Sequence, residues 1–181
     1  MNISTSNINF KAEYLDKAVI QKRSFVYKPY EVSIVKFDRD NSLDKKALKS
    51  FIKSCGEHSA IEGILYNNSL DEHIVGITTQ KDNFHKVNPD EILGVMKYLD
   101  FDDGEYYITN LQTKPDYKHS IFKLFRKYKD VGKSLVKMLM DKKDAKRISL
   151  FPLDSAIPFY KKLGFIYDEP DMEWKSPDYC E

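Results

Sequence analysis

The stretch Ser155-Ala156-Ile157-Pro158-Phe159-Tyr160-Lys161-Lys162-Leu163-Gly164-Phe165 decides how the rest of the chain is read. Asp154 can cap a helix whose inner face is Ala156, Phe159, Tyr160 and Leu163, and Gly164 is placed to end it. Before it, Ile148 to Phe151 is a short apolar run with the character of a strand. After it, Phe165 to Tyr167 and Met172 to Lys175 read as a last hairpin. Periodicity alone gives a capped amphipathic helix with Tyr160 in the core, set between strands.

Working outward, a strand opens at Glu105 after the hairpin signal Asp102-Asp103-Gly104 and closes at Leu111-Gln112-Thr113-Lys114-Pro115. Downstream, Lys129-Asp130-Val131-Gly132-Lys133-Ser134-Leu135 leads into a helical stretch from Gly132 through Met140. A strand that feeds a helix N-terminus leaves free backbone N–H groups and a positive dipole end, which together favour a phosphate. Gly132 allows the backbone to approach closely. The segment Lys118 to Arg147 holds 11 Lys/Arg against three Asp and no Glu, so charge is segregated along the chain. An ordinary cap beside a solvated lysine face has the same appearance, and these residues alone do not separate the two.

Further upstream, His73 to Gln80 and Ile92 to Leu99 read as neighbouring strands joined by the polar loop Lys81 to Asp90. Val32 to Phe37 is another strand, followed by a helix carrying Leu43, Ala47, Leu48, Phe51, Ile52 and Cys55. Phe10, Tyr14, Ala18 and Val19 have helical spacing, so residues 1–30 read as an N-terminal helix and extended arm. Ile121, Leu124, Phe125 and Tyr128 predict a further helix. The expectation is one mixed α/β domain over residues 31–176, with a tail at 177–181. Its centre is a mixed, mostly antiparallel sheet of about seven strands, flanked by helices.

With 181 residues, 41% hydrophobic, and 24 Tyr, Phe and Trp side chains, the chain can bury a real core. A formal net charge of +1 argues against a dedicated nucleic-acid or membrane-surface protein. Cys55 and Cys180 form no C-x-x-C motif, and the histidines His58, His73, His85 and His119 show no metal-site spacing, so no metal is expected. Cys55 falls on the apolar face of its helix and reads as a small buried hydrophobe. No run approaches the roughly 18 apolar residues of a membrane span, and no signal peptide opens the chain. A cytoplasmic setting is therefore expected.

The string A-x-x-F-Y-x-K-L-G-F resembles the penultimate helix and following strand of the GNAT N-acetyltransferase superfamily. The strand end at Leu111 to Pro115 is similar to the family's L-x-V-x-P, and Lys129-x-x-Gly132-x-Ser134 resembles its R/Q-x-x-G-x-G/A pyrophosphate loop. The resemblance covers roughly Val32 to Trp174. This chain departs from the pattern with Lys129 for Arg/Gln, Ser134 for Gly/Ala and about ten inserted residues, His119 to Tyr128. Leu153 and Asp154 also stand where an asparagine is often found.

The resemblance implies a GNAT-like sheet splayed between its fourth and fifth core strands, holding acetyl-CoA as cosubstrate. Asn110, Leu111, Gln112 and Thr113 would run beside pantetheine, with a backbone N–H near Leu111 polarising the thioester carbonyl. The amides of Lys129, Asp130, Val131, Gly132, Lys133, Ser134 and Leu135 would hold the diphosphate. Tyr160 would donate a proton to the departing sulfur, and Glu105 would act as base toward a primary amine of unknown identity. Dimers are common among relatives, though no patch here marks an interface. Two further readings stand beside this one: a CoA-binding interaction module without turnover, and an enzyme of the toxin branch that acetylates aminoacyl-tRNA.

Overall fold

The computed structural model describes residues 12–56, 71–115 and 127–179. One sheet runs through it in the order β6-β1-β2-β3-β4-β5-β7-β9-β8. Its strands are β1 Glu13–Arg23, β2 Tyr27–Phe37, β3 Glu72–Thr78, β4 Ile92–Asp100 and β5 Glu105–Thr113, then β6 Tyr128–Lys129, β7 Arg147–Leu150, β8 Ile166–Asp168 and β9 Asp171–Lys175. Every pairing is antiparallel except that of β5 with β7. The mixed, mostly antiparallel sheet is as expected, but the described residues contribute nine strands in place of about seven; the additions are β1 and β6.

Helix α1, Ser42–Cys55, begins at Asn41, whose side chain accepts from the backbone N–H groups of Leu43 at 2.8 Å and Asp44 at 3.2 Å. It presses Ala47, Leu48 and Phe51 onto Val35, Ile74 and Val95 of one sheet face. Helix α2, Val131–Met140, covers the opposite face, setting Leu135, Val136 and Leu139 against residues such as Ile34, Val75 and Met96. Those three α2 side chains have no exposure, and each contributes roughly 1.5–3 kcal/mol of burial. Helix α3, Ile157–Lys161, lies on the α2 side; the turn Asp154–Ala156 that leads into it is a 3-10 turn, with Asp154 inside it and not capping. Among the described residues no helix is long and apolar enough to cross a membrane.

Residues 13–23 correct the expected N-terminal helix. They form β1, laddered to β2 from Glu13 opposite Lys36 to Arg23 opposite Tyr27. The spacing of Tyr14, Ala18 and Val19 fits a helix only by coincidence. In the strand it is Ala18 and Ile20 that share the core face, two apart, and the long ladder satisfies the backbone. Phe10, and Ile121, Leu124 and Phe125 of the second expected helix, lie outside the described residues; Tyr128 belongs to β6.

The β4–β5 turn sets the spacing of the central strands. Asp102, Asp103 and Gly104 all take positive φ, at 60°, 51° and 82°. A Cβ on Gly104 would fall 1.7 Å from the Asp144 carbonyl oxygen, so only glycine fits. Its own carbonyl accepts from the backbone N–H groups of Lys146 at 2.9 Å and Arg147 at 3.2 Å. The start of β7 is thereby pinned beside the start of β5.

Candidate functional site

Strands β5 and β7 pair from Glu105 opposite Arg147 to Ile108 opposite Leu150, where the pairing stops. Two local features stop it. In β5, Tyr98 of β4 faces Ile108 and Lys97 faces Asn110, leaving Thr109 as an extra residue whose hydroxyl donates to the Lys97 carbonyl at 3.3 Å. Such a bulge bends its strand and breaks the ladder. In β7, Leu150 is followed by Phe151-Pro152, and proline has no N–H to give and restricts the residue before it. Past this fork β5 continues to Thr113 laddered to β4 alone, so among the described residues no strand covers the other edge of Leu111 to Thr113, where the Thr113 carbonyl accepts from the Gln112 side chain at 2.9 Å.

A cleft of about 790 Å³ opens between the parted strand, α2 and α3. That lies within the roughly 300–1,000 Å³ usual for small-molecule sites. It is lined by Leu111, Gln112 and Thr113 on one side, by Lys129 to Lys133 at the start of α2, and by Phe159 and Tyr160 of α3. Lys114, Lys129, Lys133 and Lys162 reach it against one carboxylate, Asp130, so its potential favours an anion.

The α2 N-terminus is built to leave amides free. Asp130 stands at the cap with φ 67°, a left-handed conformation, and its side chain makes no cap hydrogen bond. The first helical hydrogen bond runs from the Ser134 N–H to the Asp130 carbonyl at 2.8 Å. The open donors are therefore those of Val131, Gly132 and Lys133, a shorter set than the one expected to run on to Leu135. Leu135 itself is fully buried in the core, and Ser134 faces a separate groove against β1. Gly132 is close to the opposite wall, for a Cβ there would stand 3.4 Å from Phe159, 3.6 Å from Thr113 and 3.7 Å from Leu111.

Tyr160 is 7% exposed, with Phe159 and Phe165 edge-on to its ring at centroid distances of 4.9 and 5.5 Å. Burial pushes its phenol up to about 12, and among the described residues the hydroxyl has no hydrogen-bond partner. The cleft holds a neutral proton donor whose hydrogen is not already committed.

Glu105 and Asn110 are placed elsewhere. Tyr106 and Ile108 point into the α2-side core, so by alternation Glu105 lies on the other sheet face, on the laddered side of the fork. It stands three positions from the fork, roughly 10 Å along the strand, and 4.0 Å from the Arg147 guanidinium, which also bonds Glu173. Asn110, opposite Lys97, shares that face and does not line the cleft. Cys55 is half-buried, and burial raises its thiol pKa. Three features of the site were given no functional role in the sequence. Phe159, inside the quoted string, lines the cleft beside Tyr160. Pro152 ends β7, and the dipeptide Phe151-Pro152 was its visible signal. The Thr109 bulge has no composition cue, since it depends on how β4 and β5 register.

No protein-family model matches the chain, and neither does any curated protein. Solved structures do. The GNAT domain of PAT from S. lividans is 9% identical with a TM-score of 0.54, covering 88% of this chain and 96% of that one. A protein assigned to the GNAT family from Desulfovibrio desulfuricans is 14% identical with a TM-score of 0.51, covering 80% and 98%. The aminoglycoside 6′-N-acetyltransferase from Enterococcus faecium is 17% identical with a TM-score of 0.50, covering 82% and 99%.

Proposed function

Because this chain has the fold of the GNAT acetyltransferases, we propose that it is an N-acyltransferase carrying the acetyl group of acetyl-CoA to a primary amine by direct attack in a ternary complex. The observation that carries this reading is the coincidence of three features in one cleft. These are the open edge of β5 beyond Ile108, the three uncommitted amides at the start of α2, and the unpartnered phenol of Tyr160.

Coenzyme A offers a group for each. Its pantetheine arm, which carries amides, matches the free edge of Leu111 to Thr113. Its diphosphate matches the N–H groups of Val131, Gly132 and Lys133, with Lys129 and Lys133 to balance charge. Bound there, it supplies the activated acyl group. A backbone N–H of β5 near Leu111 then faces the carbonyl oxygen as negative charge builds on it. The acceptor nitrogen forms a bond to the carbonyl carbon, the C–S bond breaks, nitrogen releases a proton and sulfur leaves as a thiol.

Tyr160 donates a hydrogen bond to that sulfur. Its raised pKa has a consequence for how it acts. Complete transfer from a phenol near 12 to a thiolate near a reference 8.5 is uphill by about 5 kcal/mol. The phenol therefore stabilises charge on sulfur through a hydrogen bond, and the proton lost by nitrogen completes the thiol. The acceptor comes from the opposite sheet face, where Glu105, Asp171 and Glu173 alternate with core residues of β5 and β9. Asp171 there draws a cationic amine, Glu105 and Glu173 already lying beside the Arg147 guanidinium, and Glu105 takes the amine's proton through water.

The test is release of free thiol from acetyl-CoA against a panel of amines, with Tyr160→Phe as comparison. The expected result is amine-dependent release, lowered about 10- to 1,000-fold in kcat by the substitution. Turnover unchanged in Tyr160→Phe removes the phenol from the chemistry.

A further inference from the structure

Two parts of the chain lie outside the resemblance to the GNAT pattern, the N-terminal segment before Val32 and the insertion ending at Tyr128. The structure joins them. Gln21 and Lys22 of β1 pair with Lys129 and Tyr128 of β6, so the N-terminal strand holds the residues that lead directly into the α2 N-terminus. Tyr128 and Lys129 also line the mouth of the cleft. The added strands thus extend one wall of the site.

That wall is aromatic and basic. Lys22 sits 4.3 Å from the ring centre of Tyr30, Tyr30 and Tyr128 lie 6.1 Å apart, and Lys127 stands 5.3 Å from Tyr128. Around the edge of the sheet, Lys129 lies 3.9 Å over Tyr27. Among the described residues Lys22, Lys127 and Lys129 form no ion pair with a carboxylate. Lys81, 5.6 Å from the Tyr30 ring, is paired with Glu31, whereas Lys22 and Lys127 have no such carboxylate among the described residues, an arrangement that an added anion relieves. Half-buried tyrosines beside them offer π faces on which a base can stack.

We propose that this edge is the subsite for the 3′-phosphoadenosine end of the coenzyme, with adenine lying against Tyr128, backed by Tyr30, and the 3′-phosphate met by Lys22. The inference rests on the acyltransferase reading of the cleft, since it takes the diphosphate at Gly132 as its starting point. From there a ligand can leave the cleft along Lys129 and Tyr128 onto β1. The matching chemistry is specific: one purine and one phosphate monoester beyond a diphosphate.

The experiment is calorimetric titration with CoA, 3′-dephospho-CoA and pantetheine on wild-type protein and on Lys22→Ala, Lys22→Arg, Tyr128→Ala and Tyr128→Phe, each first checked for an unchanged melting temperature. The wild type is expected to bind CoA roughly tenfold or more tighter than dephospho-CoA, as one charge-assisted contact allows. Lys22→Ala abolishes that preference while leaving dephospho-CoA affinity in place, and Lys22→Arg restores it. Tyr128→Ala weakens both nucleotide-bearing ligands about equally and spares pantetheine, whereas Tyr128→Phe binds like wild type. Equal wild-type affinity for CoA and dephospho-CoA overturns the subsite and leaves the acyltransferase reading standing, as does a Lys22→Ala loss shared by both ligands. Failure of every CoA form to bind overturns both.

Discussion

Replacing Gly132 by alanine separates ligand binding from stability. The glycine is in the first turn of α2 with ordinary helical geometry, so the added methyl meets no backbone barrier and gains up to about 1 kcal/mol of helix propensity. Its nearest neighbours would be Phe159 at 3.4 Å, Thr113 at 3.6 Å and Leu111 at 3.7 Å, all ordinary contacts. The folded protein therefore tolerates the methyl. A diphosphate reaching for the amides of Val131, Gly132 and Lys133 does not, because the methyl occupies the gap between α2 and the opposite wall. Losing one hydrogen bond to a charged group amounts to roughly 1.5–3 kcal/mol, or about a 10- to 150-fold weaker Kd. Thermal unfolding should show a melting temperature at or above wild type, while calorimetry shows CoA binding weakened by that factor. CoA bound as tightly by Gly132→Ala as by wild type refutes the anion cradle at α2; a fall in melting temperature refutes the claim that the methyl is harmless to the fold.

Other substitutions follow from the same contacts. In Gly94→Ala the new Cβ would lie 2.8 Å from Val131 and 3.1 Å from the Gln112 carbonyl, so urea unfolding should show a loss of about 1–3 kcal/mol. The buried Glu72 bonds Lys97 at 2.8 Å and Arg39 at 2.6 Å; Glu72→Gln takes the carboxylate charge away from a Lys97 ammonium that is 1% exposed and should cost about 3–5 kcal/mol, more than Arg39→Gln. Burial lifts the Asp44 carboxyl from 3.8 to about 6, so the folded chain holds a proton the unfolded chain has released, and stability falls as pH rises between those values. The loss amounts to about 3 kcal/mol, roughly two pKa units at 1.36 kcal/mol each, and a stability-versus-pH series on Asp44→Asn should lack it. Because Tyr160 titrates near 12, the pH–rate profile should rise as the amine deprotonates and show no alkaline fall assignable to a phenol below that region.

How far the sequence reached can be argued from particular residues. The core strands were legible because Val32 to Phe37, Ile92 to Leu99 and Ile148 to Phe151 combine β-branched runs with turn signals at their ends. Gly132 and Tyr160 were legible because their surroundings recur in spacing and in order, and both line the cleft. Glu105 was placed by analogy with a strand start. Parity along β5 puts it on the face away from Tyr160, and that parity changes at Thr109, which no local pattern announces. The strand β1 was read as a helix because a few apolar residues sample both periods; its true partners, β2 and β6, lie at distances along the chain that periodicity does not see.

The geometry of the fork explains why its opening is confined to one end. Gly104 ties β7 to β5 at the Arg147 end through two backbone hydrogen bonds, and Arg147 adds contacts to Glu105 and Glu173 across the same three strands. At the other end, the Thr109 bulge and Pro152 remove the pairing, and no strand fills the gap among the described residues. Unpaired strand edges invite a further strand from another chain. Here the edge is bounded by α2 on one side and by Phe159 and Tyr160 on the other, leaving a slot of about 790 Å³ beside it. An extended chain with its own amides and an anionic tail satisfies that edge and the α2 amides at once, whereas a compact ligand satisfies only one of them. The slot therefore selects for length and polarity along one line, and this makes the continuation onto Tyr128 and Lys22 a physical extension of the same selection.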